Sequence, residues 1–192
     1  MAGSIADTKR ILRREALARR ETQPNPGSAA RKARGRLQSV LTPATGQVVS
    51  GYVAMRGELD PGPALLALEN EGCRIALPYT VGKGRPLKFL AAPGARADAW
   101  DAYGIKAPPV EVEALVPDIL IVPLAAFDRE GYRLGYGGGF YDAAMAHLRS
   151  TKPLIAVGLA FAVQEVGTIP RQPHDARLDW IVTEREAIYI SR

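Results

Sequence analysis

Between Phe127 and Asp142 the chain reads Phe-Asp-Arg-Glu-Gly-Tyr-Arg-Leu-Gly-Tyr-Gly-Gly-Gly-Phe-Tyr-Asp, with glycine at 131, 135, 137, 138 and 139. Glycine reaches positive φ without penalty and carries no Cβ to hold a ligand off the backbone. Several N–H groups can therefore converge on one anion, and a helix starting just beyond adds the positive end of its dipole. The chemistry this pattern suits is phosphate binding. Glycines that merely turn the chain are the plain alternative. Three features favour the cradle: Arg133 puts a cation inside it, Phe140, Tyr141 and Asp142 close it with two aromatics and a carboxylate, and it exceeds the roughly 2 to 6 residues that a strand-to-helix connection needs. No Gly-Lys-Ser/Thr ends the segment, so it is not a P-loop, and its spacing is not that of the dinucleotide fingerprint.

The elements around it must position it. Asp118-Ile-Leu-Ile-Val-Pro123 is a short apolar run rich in β-branched residues, the pattern of a strand buried on both faces. Phe140 to Arg149 has helical composition, so the glycine segment is expected to link a buried strand to a helix N-terminus. Near the start of the chain, Thr8 to about Arg20 reads as a helix capped by Asp7 or Thr8. Its Lys9 and Arg13 lie four apart, on one face, one turn from each other. The spacing fits a solvated basic helix and equally a pair of cations reaching for a polyphosphate.

Pro24 and Pro26 break the chain before a second helix, about Ser28 to Leu41, whose Arg31, Lys32, Arg34 and Arg36 read as surface. Gln47 to Met55 is the first strand, and Glu58 follows its carboxyl end, where an open α/β sheet keeps its ligands. Asp60-Pro61 predicts a helix start, with Leu65, Leu66 and Leu68 on its buried face. Cys73 to Leu77, closed by Pro78, and Pro86 to Leu90 are further strands. Residues 91 to 116 read as irregular, with Trp100 and Tyr103 anchoring them on the core or, as the alternative, flanking a flat ring of a ligand. Leu154 to Phe161, Leu178 to Thr183 and Ala187 to Ile190 complete the strands, with a polar turn at Pro170 to Asp175. Five or six strands alternating with helices predict one α/β domain, a three-layer α/β/α sandwich with a mostly parallel sheet and helices on both faces, residues 1–8 being a loose leader.

Composition excludes some classes of function. The longest apolar runs, 119–127 and 154–163, fall far short of the roughly 18 residues that span a bilayer. No secretory pattern opens the chain, and the one cysteine, Cys73, forms no internal disulfide and fits a reducing compartment, so a cytoplasmic protein is expected. The net charge is +5, but residues 9 to 36 alone hold ten Lys or Arg against two Glu, a local +8 that leaves −3 elsewhere. That segment lacks the interleaved aromatics of a nucleic-acid stacking platform. An RNA-binding or regulatory role for the basic helices is the competing class, though no nucleic-acid partner is expected.

Asp128 to Asp142 resembles the signature of the 5-formyltetrahydrofolate cyclo-ligase family, the methenyltetrahydrofolate synthetases. Lys9-x-x-x-Arg13, Leu77-Pro78, His174-Asp175 and Asp179-x-Ile-Val-Thr183 fit the same pattern. The resemblance implies conversion of 5-formyltetrahydrofolate and ATP to 5,10-methenyltetrahydrofolate, ADP and phosphate, with Mg²⁺. A monomer is expected, though the sequence does not fix the oligomeric state. The resemblance also implies roles: Lys9 and Arg13 at the ATP phosphates, Arg133, Leu134, Gly135, Tyr136, Gly137, Gly138, Gly139, Phe140 and Tyr141 as the nucleotide loop, and Arg133 and Tyr141 nearest the chemistry. Val53 and Glu58 go to the folate, with Tyr136 to Phe140 shared, and Asp142 and Asp179 to Mg²⁺. Phe140 stands where the family usually has a first tyrosine, Ala143 where a basic residue is common, and Tyr136 and Gly138 at positions that are basic in some members. An enzyme with the same nucleotide loop and another N-formyl or amide substrate is the nearest alternative.

Overall fold

The computed structural model describes residues 4–82 and 85–191. Four helices are α1 (Ile5–Glu21), α2 (Pro26–Val40), α3 (Gly62–Asn70) and α4 (Phe140–Thr151). The strands are β1 (Val48–Ser50), β2 (Arg74–Tyr79), β3 (Lys88–Ala91), β4 (Ala99–Trp100), β5 (Lys106–Ala107), β6 (Ala114–Leu115), β7 (Ile119–Pro123), β8 (Ala126–Phe127), β9 (Arg133–Leu134), β10 (Ile155–Leu159), β11 (Trp180–Val182) and β12 (Ala187–Tyr189). Eight of them form one sheet in the order β12-β11-β10-β7-β1-β2-β3-β6. The five inner strands from β11 to β2 run parallel, while β12 at one edge and β3 beside β2 pair antiparallel to them, and β6 closes the other edge antiparallel to β3.

β7 explains why the sheet is deeply set. Ile119 to Val122 are at most 2% exposed, and alternate residues feed opposite faces, as strand geometry requires. Ile119 and Ile121 join α2 and α3 in one core, and Leu120 and Val122 join α4 in the other. Burial of each is worth about 1.5–3 kcal/mol. The expected sandwich, with a mostly parallel sheet and helices on both faces, is therefore present. α1 lies on neither face; its Ala16 packs with Ala126, Leu134 and Ile169 over the carboxyl ends of the strands.

The order of the strands fixes where a ligand can go. From β1 the chain crosses to β2 on one side and later returns to β7 on the other. The helix that follows β1 covers one face of the sheet, and the helix that follows β7 covers the opposite face. The connections after β1 and β7 thus part at a topological switch point, leaving a crevice beyond the carboxyl ends. The segments 51–61 and 124–139 are the chain that follows β1 and β7 at those ends.

Several boundaries differ from expectation. α1 starts at Ile5 because the Ser4 hydroxyl accepts the Asp7 N–H at 3.1 Å, so residues 5–8 belong to the helix; residues 1–3 of the expected loose leader lie outside the described residues. Asn25 caps α2 through the Ser28 N–H and brings its start forward to Pro26. β1 is only three residues long, since Gly51 to Met55 leave the ladder and run on toward the Glu58 turn. Asp60 accepts the Gly62 N–H, so α3 begins two residues past it, and Leu66 faces solvent. Pro78 sits inside β2, tolerated opposite Phe89 in the antiparallel ladder. Residues 91–116 contain the β4–β5 ribbon and β6, with Trp100 61% and Tyr103 49% exposed, so the two aromatics do not anchor the core. No described helix is long and apolar enough to cross a membrane.

The long glycine segment turns out to be two structures. Residues 126–134 form the β8–β9 hairpin, and only 135–139 bridge to α4. Asp128, 1% exposed, closes the hairpin turn by accepting the Glu130 and Tyr132 N–H groups, and its other oxygen takes that of Ile169. Gly131 belongs to this turn at φ +87°, where a Cβ would lie 2.8 Å from Ile190 and 3.1 Å from the Leu178 carbonyl. It is a steric necessity of the hairpin, not part of a cradle. Gly131→Ala is expected to destabilise the fold by about 1–3 kcal/mol, lowering Tm by several degrees; an unchanged melting curve would contradict this placement.

Candidate active site

At the α4 end of the crevice, Gly139 is the N-cap residue at φ +66°, and with no side chain it supplies no capping bond. An αL cap of this kind suits glycine, and the first N–H groups of the helix lack intrahelical partners. Among the described residues, the N–H groups of Gly137, Gly138, Gly139, Phe140 and Tyr141 donate to no protein acceptor. Gly137 to Gly139 are exposed. Phe140 folds its ring over Gly138, where a Cβ would come within 2.7 Å of it, and meets Tyr103 edge-on at 5.7 Å. The segment thus offers unsatisfied donors at the positive end of a helix dipole, the arrangement that attracts anions.

Cations approach from elements far apart in sequence. Arg13 of α1 donates from Nε to the Gly135 carbonyl at 2.6 Å, fixing the helix against the loop. Lys9, one turn earlier, reaches Asp175 at 2.5 Å and Gln172 at 3.3 Å in the C-terminal turn. Arg133, 6% exposed, lies beneath the loop with Nη2 3.1 Å from the Asp142 carboxylate, and its Nε finds no protein partner. Leu134 contributes backbone alone, since its side chain is in the core. Asp142, in the first turn of α4, also accepts the Ala176 N–H at 3.0 Å. His174 is exposed on the same turn.

Asp142 and Asp179 are not brought together. Asp179 stands just before β11, at the amino end of the sheet, where its carboxylate takes the Ala156 N–H and Arg149, each at 2.8 Å. Arg149 is seven residues beyond Asp142 on α4, about 10 Å of helix rise. Magnesium needs oxygen ligands near 2.0–2.1 Å, so one ion does not reach both carboxylates in this arrangement. Among the described residues no group of three or more His, Cys, Asp or Glu could hold a metal. Asp142 alone fits the pattern of an ion held by one protein carboxylate, waters and phosphate oxygens.

Across the crevice, residues 55–58 make a tight turn, with Arg56 at φ +50°, Gly57 at φ +75° and the Glu58 N–H bonded to the Met55 carbonyl at 3.0 Å. Glu58 is 8% exposed, and Oε2 accepts the Met55 N–H at 3.0 Å. Burial raises its pKa above the ordinary carboxylate value, an effect that the Met55 N–H, the Tyr136 hydroxyl, Arg20 and Arg56 oppose. The same carboxylate, after burial, pushes up the hydroxyls of Tyr52, Tyr136 and Tyr141, Tyr136 to about 12. Val53 lines a neighbouring cleft of about 420 Å³ with Tyr52, Asp60, Leu65 and Lys106. That volume suits a molecule of drug size.

Sequence reasoning singled out the loop, Glu58, Arg13 and Asp142, and gave Arg20 and Asp128 no role. Asp128 was legible as an acid three residues before a turn glycine. Arg20 had no signal, being one more cation in a basic run.

A mostly parallel sheet with an uncapped, glycine-lined helix start at its switch point places the protein among the open-sheet α/β proteins. Within that class the chain belongs to the 5-formyltetrahydrofolate cyclo-ligase family, whose model matches residues 5–184. It is 30% identical to the 5-formyltetrahydrofolate cyclo-ligase of Mycolicibacterium smegmatis, over 77% of this chain and 79% of that one. With the Escherichia coli K12 enzyme of the same name it shares 34% over 70% and 76%. The solved 5,10-methenyltetrahydrofolate synthetase of Aquifex aeolicus superposes with a TM-score of 0.75 at 29% identity, covering 96% of this chain and 93% of that one. The Mycoplasma pneumoniae synthetase shares the fold at 22% identity, with a TM-score of 0.73 over 92% and 98%.

The sign of the Glu58 effect gives a test. Its folded pKa lies above the unfolded value, so stability is full below the unfolded pKa and declines as pH rises through the folded one. Glu58→Gln keeps the acceptor and removes the buried charge, so it is expected to melt above the wild type at pH 7.5, with the advantage vanishing near pH 4. A variant less stable than the wild type at both pH values would contradict the burial argument.

Proposed function

We propose that this chain converts 5-formyltetrahydrofolate and ATP to 5,10-methenyltetrahydrofolate, ADP and phosphate. The observation that carries the reading is the pairing, across one switch-point crevice, of unsatisfied loop N–H groups with a turn that buries the Glu58 carboxylate, next to a cleft lined by Tyr52 and Val53. Family membership supplies the substrates; the geometry accounts for how they meet.

The formyl oxygen of the substrate is part of an amide and leaves poorly. In the proposed reaction it attacks the γ-phosphorus, the bond from that phosphorus to the bridging oxygen breaks, and ADP departs. The N10 amine then adds to the formyl carbon and loses its proton to water or phosphate. Expulsion of inorganic phosphate leaves the methenyl bridge. Little covalent work falls to the protein, which aligns three groups and neutralises charge. The inventory agrees, since the site offers cations, amides and carboxylates and no paired nucleophile and base.

In this reading the N–H groups of Gly137 to Tyr141 and the guanidinium of Arg13 take the phosphates. Lys9 joins them by exchanging Asp175 for the nucleotide. Arg133 holds positive charge beneath the loop and orients Asp142. Tyr141, half-buried between Glu58 and Arg133, lies nearest the junction of the two substrates. Mg²⁺ bound with ATP would screen the phosphate charge, and Asp142 is the residue fitted to hold it. Glu58 faces the polar edge of the folate and Val53 lines its cleft, while Asp179 keeps a structural role.

Purified protein mixed with 5-formyltetrahydrofolate and Mg-ATP is expected to develop the ultraviolet absorbance of the methenyl product; ATP hydrolysis without that chromophore would point to another N-formyl or amide substrate. Asp142→Asn should lower turnover at least about tenfold beyond any loss of folded protein; because it also removes the charge paired with the buried Arg133 guanidinium, it should cost stability as well, up to about 3–5 kcal/mol. Turnover per folded molecule equal to that of the wild type would make Asp142 a partner of Arg133 only.

A further inference from the structure

Arg20, in the last turn of α1, is 4% exposed, and a guanidinium is not buried at such a place without partners that repay its desolvation. Nη1 donates to the Tyr136 hydroxyl at 2.7 Å, and Nη2 donates to the Arg56 carbonyl at 2.5 Å. These acceptors lie 116 and 36 residues away, one in the loop assigned to the nucleotide and one in the turn that presents Glu58. Arg56 is held at φ +50°, a left-handed conformation that non-glycine residues disfavour, and the carbonyl gripped by Arg20 is its own. The Tyr136 ring lies 5.9 Å from both guanidinium carbons, those of Arg20 and Arg56. Arg20 from α1, Arg56 from its own turn, Tyr136 from the loop, Tyr52 beyond β1 and Tyr141 from α4 are the groups that face the Glu58 carboxylate.

We propose that Arg20 is a positioning residue for the reaction: its two-pronged guanidinium locks the Glu58 turn to the Tyr136 loop and so sets the folate side of the crevice in register with the nucleotide side, touching neither substrate. The inference rests on the activity proposed above for its catalytic readout alone. A lysine keeps the charge but cannot serve two acceptors from one planar fork, so charge and geometry can be separated by mutation.

The test uses three variants, Arg20→Met, Arg20→Lys and Tyr136→Phe, and two readouts. In protein labelled with ¹³C at glutamate carboxyls, with no substrate present, the Glu58 titration midpoint is expected to rise in Arg20→Met and in Tyr136→Phe and to stay near the wild-type value in Arg20→Lys. A cation beside a carboxylate favours its ionised form, so removing the cation moves the midpoint up. In turnover, all three variants are expected to lose about tenfold to a hundredfold in kcat/KM for the folate. Arg20→Met combined with Tyr136→Phe should lose little more than the worse single variant, because both remove the same bond. A Glu58 midpoint unmoved in Arg20→Met, or additive losses in the double variant, would overturn the proposal, since a merely structural arginine lowers Tm and shifts neither. If Arg20→Met does not fold, Tyr136→Phe and Arg20→Lys decide the matter, since the midpoint is expected to rise in the first and to stay near the wild-type value in the second. A wild type that forms no methenyl product sinks the activity assignment and leaves the carboxyl titration to judge Arg20.

Discussion

A helix cannot satisfy its own first N–H groups, and in most proteins a side chain at the cap does so. α1 and α2 follow the rule with Ser4 and Asn25, whereas α4 starts from a glycine and leaves its leading donors to whatever enters the crevice. Much of the architecture keeps that opening in place. β7 is buried on both faces, the β8–β9 hairpin is closed by a nearly inaccessible aspartate, and α1 is bonded to the loop through Arg13. The rigid parts surround a small set of donors that the fold does not use.

The other side of the crevice is built on the opposite sign of charge. Glu58 is withdrawn from water among three tyrosines, and burial raises its pKa against the opposing effect of the Met55 N–H, the Tyr136 hydroxyl, Arg20 and Arg56. Such an arrangement stabilises the native state poorly, and in the proposed reaction it faces the polar edge of the folate. The cations do not come from one patch. Arg13, Arg20 and Lys9 lie on a single helix, yet they reach the glycine loop, the Glu58 turn and the C-terminal turn respectively. The basic N-terminal segment is therefore a bracket across the mouth of the crevice. α2, by contrast, sends Arg31, Lys32 and Arg34 to solvent.

The sheet and its central strand were legible because an unbroken run of branched residues admits few other placements, and the glycine cluster was legible by composition. Local chemistry misled at the margins. Ser4 outcompeted Asp7 and Thr8 as a cap, and Gly131 was counted with the cradle because sequence alone does not reveal a hairpin inside a glycine-rich segment. The shared metal site expected of Asp142 and Asp179 failed for a topological reason: one acid is at the first turn of α4, and the other is held by its far end. Arg20 was invisible in principle, since what distinguishes it from Arg19 is which side of α1 meets the loop, and that is decided by contacts more than a hundred residues away.

The account stands on the idea that the free amides at the head of α4 are the phosphate ligand. Backbone ¹H–¹⁵N spectra of labelled protein titrated with Mg-bound, non-hydrolysable ATP analogue address it directly. The account predicts that the largest saturable shifts fall on Gly137, Gly138, Gly139, Phe140 and Tyr141. Shifts confined to the outer surfaces of α1 and α2, with those amides unmoved at saturation, would contradict it.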